Sequence, residues 1–134
     1  MTPQELAILL NGREYGREIT DDEANTAYDA GLVVVFGYSD DNVEFRGAID
    51  DEIGCYEGRD VFVTKTGVLE NKCSNDFCPY HEKEKADTAT ISAVWDHAGY
   101  SWIYETDIPH ATFDILEDGE KYCRGIVFSL NEVK

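Results

Sequence analysis

The chain has 134 residues, 43 % hydrophobic and 12 % aromatic, with 28 acidic against 11 basic side chains and a formal net charge of −17. That length holds one ordinary domain with one core, and the apolar share excludes a disordered chain. Cations so outnumbered disfavour direct contact with nucleic acid, which is driven by Lys and Arg displacing counterions from phosphates.

The same imbalance favours a basic protein surface as partner, approached through long-range attraction, although solubility alone is the plainer account of it. Residues 1–10 carry no basic n-region, and the apolar run 6–10 is too short for a signal peptide or a membrane span. The expectation is therefore a cytoplasmic protein with no membrane contact, its four cysteines reduced or bound to metal.

Thr2, Pro3 and Glu5 supply an N-cap, a first-turn proline and a capping-box partner, which predicts a short helix ended by Asn11-Gly12. Leu6, Leu9 and Leu10 share its predicted inner face. Thr20 and Glu23 repeat the capping logic for a second helix over 21–30, stopped by Gly31 and thinly apolar at Ala24, Ala27 and Tyr28. Residues 32–36, LVVVF, form a short β-branched run bounded by glycines, which reads as a buried strand. Asp40-Asp41-Asn42 is the turn after it, and Val43, Phe45, Ala48 and Ile49 return with a change of phase at Gly47 that predicts a bulge.

Further strands are expected at 59–66, 88–95 and 102–105, the last two forming a hairpin in which Trp95 and Trp102 are core residues or cross-strand partners. Residues 70–85 read as a polar loop. Asp118-Gly119 predicts a two-residue hairpin, with Ile115 opposite Tyr122 and their face continuing through Ile126, Phe128 and Leu130. The fold class is α+β: a single domain over 1–134, a mainly antiparallel sheet built from hairpins, and the two short N-terminal helices packed on one face.

Chemistry-bearing residues are few. Cys73, Cys78 and His81 form a C-x4-C-x2-H cluster, and Cys55 and Cys123 are the remaining thiols. Zinc takes four such ligands in a tetrahedron, so this set would hold one structural ion; the alternative is free thiols and no cofactor. Glu44, Asp50 and Glu52 are candidates for a carboxylate-lined pocket in a small enzyme or small-molecule binder, or else a solvated acidic edge. No nucleophile elbow, phosphate loop or zinc-hydrolase motif occurs, which places enzymes second.

The stretches GLVVVFGYSDDNVEFRGAIDDEIG, CPYHEK and DGEKYCRGIVFSL resemble segments of small accessory proteins carried by bacteriophages and prophages of Gram-positive bacteria. The resemblance brings no catalytic or binding residue with it. It implies a context in which such proteins inhibit or modulate host machinery, among them anti-restriction and anti-CRISPR proteins that mimic the charge of DNA.

The leading expectation is a non-enzymatic protein that binds a basic surface of a host or phage protein. Asp40, Asp41, Asp50, Asp51 and Glu52 would carry that contact, with Asp21, Asp22 and Glu23 next, and Tyr38 or Tyr56 would add amphipathic contact area. A homo-oligomeric structural phage component is the third reading, and its sign would be an exposed apolar patch.

Overall fold

The computed structural model describes residues 1–37, 43–48, 53–55, 60–65, 69–72, 89–96, 98 and 101–133. They form two helices and a mainly antiparallel arrangement of strands, in the order α1 (Pro3–Leu10), β1 (Arg13–Glu14), α2 (Asp21–Asp29), β2 (Leu32–Phe36), β3 (Val43–Gly47), β4 (Ile53–Cys55), β5 (Asp60–Val63), β6 (Leu69–Lys72), β7 (Ala89–Asp96), β8 (Ser101–Glu105), β9 (His110–Glu117) and β10 (Glu120–Ser129). A 3-10 turn, Leu130–Glu132, follows. Six strands make one sheet in the order β1-β9-β10-β2-β3-β4, and four make a second in the order β6-β5-β7-β8.

Both capping boxes are formed. The Thr2 hydroxyl accepts from Glu5 N while the Glu5 carboxylate accepts from Thr2 N, and Thr20 and Glu23 do the same at α2. α1 packs on β9 and β10, and α2 on β2 and β3. Leu6 and Leu10 of α1 are buried, but Leu9, expected on the same face, is 65 % exposed and Ile8 is 75 % exposed. Ala7 takes the inner position instead, because its small side chain lets the helix lie close to the sheet.

All five residues of β2 are buried, as a strand between two neighbours and covered on both faces must be. The return strand β3 stops at Gly47 rather than carrying a bulge through it. Gly47 has φ +111°, and a Cβ there would lie 2.5 Å from Leu32 O and 3.1 Å from Ala27 Cβ, so only glycine allows the chain to leave beside α2. β4 then pairs antiparallel with β3, placing Ile53 opposite Phe45.

The β7–β8 hairpin pairs Trp95 with Trp102, their rings edge to face at 5.4 Å. Residues 70–72, read as loop, belong to β6, which pairs with β5. In the third hairpin Asp118 (φ 52°) and Gly119 (φ 82°) occupy the two central positions of the turn between paired Glu117 and Glu120, a type I′ geometry that suits the twist of the strands.

The expected pairing of Ile115 with Tyr122 does not occur. The register slips between Lys121 and Cys123, so Ile115 opposes Cys123 and Tyr122 is the extra residue of a bulge. Every pair beyond it is moved by one. Phe113 now faces Gly125, and Asp114 faces Arg124, instead of Phe113 facing Arg124. The slip puts the aromatic ring over the one residue with room for it and sets a carboxylate opposite a guanidinium. β1 lies parallel to β9, with Arg13 opposite Ile115, and no local signal in the sequence announces it.

Candidate functional site

The structure describes two places where charged side chains gather. The first is α2 and the segment before it. Arg13 of β1 is paired with Glu23, and its Nη1 donates to Glu18 O at 2.9 Å. Arg46 of β3 donates from Nη1 to Ile19 O at 2.6 Å and stands 3.5 Å from Asp21 Oδ1. Both arginines are thus drawn against the 18–23 segment and its carbonyls. Glu14, Glu18, Asp22 and Asp29 are exposed, as is the Asp21 side chain at 96 %, and Tyr28 stands among them at 55 %.

Glu23 is the exception among these acids. Partial burial alone raises its pKa, but the hydrogen bond from Thr20 N, the Arg13 charge and the Thr20 hydroxyl outweigh burial and hold the carboxyl below its ordinary value. Glu23 thus joins the α2 cap to Arg13 of β1. Asp40, Asp41, Asp50, Asp51 and Glu52, together with Tyr38 and Tyr56, lie outside the described residues. Glu44, expected in a carboxylate-lined pocket with Asp50 and Glu52, borders a depression of about 490 Å³ with Glu18, Asp21 and Arg46. Arg46 supplies a cation there, so the described part of that depression is not purely acidic.

The second place is a cleft of about 340 Å³ between β8 and the β9–β10 hairpin. One wall is Trp102, Ile103 and Tyr104 of β8, tied to β10 by the Tyr104 hydroxyl donating to Arg124 O at 2.8 Å. Opposite it, alternate residues of β9 (His110, Thr112 and Asp114) share a face with Arg124 and Ile126 of β10. Lys121 stands at the mouth, beside the bulged Tyr122.

The Asp114 carboxylate lies 3.4 Å from Lys121 Nζ and 4.0 Å from Arg124 Nε. His110 Nδ1 lies 2.8 Å from Ile108 O. A carbonyl only accepts, so the proton is on Nδ1, and Nε2 is the ring's remaining polar atom. Tyr122 also packs edge to face on Tyr15 at 4.8 Å and stands 6.4 Å from the Trp95 ring, so the bulge fastens the two sheets together.

This cleft was not legible as a site. His110 had no evident company in the sequence, and Asp114 and Arg124 would not have met in an unbulged hairpin. The only available signal was the polar alternation of His110, Thr112 and Asp114 on a strand whose other face is apolar.

Among the candidate metal ligands, Cys73, Cys78 and His81 lie outside the described residues. The backbones of Cys55 and Cys123 belong to β4 and β10, three strand spacings apart, roughly 14 Å. The Cys123 thiol is buried and donates to Gly37 O at 2.9 Å, and burial pushes its pKa up to about 12. Among the described residues no three His, Cys, Asp or Glu side chains gather as a metal site, and no helix is long and apolar enough to cross a membrane.

No protein-family model matches the chain, and no curated protein or solved structure matches it significantly.

Proposed function

We propose that the protein is a non-enzymatic binding protein whose acidic surface occupies a basic surface of another protein, as an inhibitor or as a mimic of nucleic-acid charge. The observation that carries this reading is the fate of the two arginines beside α2. Arg13 and Arg46 are spent on Glu23, on Asp21 and on the carbonyls of Glu18 and Ile19, while Asp22 and Asp29 stay exposed on the same helix as Tyr28. Acids left uncompensated next to an exposed aromatic are what a basic, nucleic-acid-binding surface would recognise. The acids of the 40–52 segment would extend the same contact, and the resemblance to phage proteins would place both partners in the cytoplasm of a bacterial host.

The rival reading, a carboxylate-lined pocket for a small molecule, is weakened by Arg46 beside Glu44. The oligomeric reading has in Ile8 and Leu9 an exposed apolar pair on α1. Structural zinc rests on the spacing of Cys73, Cys78 and His81. Protein purified without chelator would carry about one equivalent of zinc and lose it on Cys78→Ser but not on Cys123→Ser; metal-free protein retires the idea.

The decisive experiment is affinity capture from infected or lysogenic cells at low and high salt, followed by kinetics with the captured partner. Steered association slows as the Debye length shrinks below about 8 Å, and changing Asp40, Asp41, Asp50 and Asp51 together to lysine slows it further. Binding indifferent to both treatments, but lost on Tyr28→Ala, would show that the acidity serves only solubility.

A further inference from the structure

We propose that the cleft between β8 and the β9–β10 hairpin binds a small organic anion, one acidic group on an apolar body about the size of one or two rings. This is independent of the acidic surface of α2, which lies on other elements. Its volume, about 340 Å³, is at the lower end of the roughly 300–1,000 Å³ of small-molecule pockets, which limits the ligand to that size.

The charge of the ligand follows from the lining. In a protein of net charge −17 the cleft gathers Lys121 and Arg124 around one carboxylate, Asp114. Asp114 holds the two cations side by side without saturating them. It meets Lys121 Nζ at 3.4 Å, and it meets Arg124 only through Nε at 4.0 Å, beyond hydrogen-bond distance. A planar acidic group suits the guanidinium fork, which offers paired donors.

The apolar body follows from the β8 wall, where exposed Ile103 and half-buried Tyr104 present aliphatic and ring surface, with Trp102 buried behind them. The Tyr104 bond to the Arg124 carbonyl fixes the distance between the walls, so the cleft exists before any ligand arrives. The rest of the acidic surface repels anions, which makes stoichiometric binding of an anion by this protein diagnostic of one built site.

The test uses 8-anilinonaphthalene-1-sulfonate, a sulfonate on an aromatic body, titrated into the native full-length protein. The expected result is saturable binding of about one dye per chain, with quenching of tryptophan emission because Trp102 lines the cleft. The paired substitution Lys121→Gln and Arg124→Gln, both at exposed side chains, should weaken that binding by about tenfold or more while the thermal melt stays cooperative. Arg17→Gln, an exposed cation outside the cleft, should leave it unchanged. Arg124→Lys, which keeps the charge but loses the fork, should weaken it by less than the paired substitution does. No saturable binding to the native protein, or equal binding by the paired variant, overturns the proposal, as does equal weakening by Arg17→Gln.

Discussion

The ring of Phe113 lies over Gly125, its cross-strand partner, so closely that a Cβ at Gly125 would stand 2.2 Å from Phe113 Cζ and 2.5 Å from Cε1. Phe113 is buried and has no room to withdraw. Gly125→Ala should therefore cost about 1–3 kcal/mol, the usual penalty for overpacking a filled core. Urea denaturation would read this as a lower midpoint with an unchanged slope. Adding Phe113→Leu should recover part of the loss, because the two residues share one space.

Acid should act on the protein partly through Glu23. Its carboxyl is held below its ordinary value, so the native state favours the ionised form more than the unfolded chain does. Stability from this group is complete above the unfolded pKa, near 4.5, and is lost as pH falls through the lower folded value. Glu23→Gln should be less stable than the native protein at neutral pH, and the gap should close as pH falls below 4.5 and through the lower folded value. Thermal melts across that range would measure it; a gap independent of pH would mean that the loss does not come from the carboxylate charge, and no gap would mean that Arg13 and Thr20 hold the glutamine equally well.

What could be read in the sequence was what short-range chemistry decides. Thr2 with Glu5 and Thr20 with Glu23 identify both helix starts because the capping partners are three residues apart. Leu32–Phe36, the Trp95–Trp102 pair and the Asp118-Gly119 turn were legible for the same reason. What failed depended on distant partners. Leu9 is exposed because the sheet beneath α1 accepts Ala7. Arg13 and Glu14 become a parallel strand only because β9 has a free edge beside them. The bulge at Tyr122 is decided by Phe113 needing Gly125, and the cleft inherits its Asp114–Arg124 pair from that slip. A pattern of alternating residues carries the face of a strand, but not the one-residue shift that exchanges one face for the other.

The last prediction separates the two accounts of the acidity at one residue. Asp29 ends α2, exposed, and the last turn of that helix has no basic residue. The carbonyl end of a helix carries a partial negative charge, so an aspartate there is opposed by the dipole, and lysine would be favoured by about 0.3–1 kcal/mol. Asp29→Lys should therefore raise the melting temperature by a degree or several, helped by the reduced repulsion in a chain of net charge −17. If the outward acids of α2 contact a basic partner, the same substitution should slow association and shift its salt dependence. A gain in stability with no change in binding would show that Asp29 lies outside the contact. A loss of stability would contradict the dipole argument itself. Retaining an aspartate where the helix prefers a cation is a cost in stability, and binding is the property that would offset it.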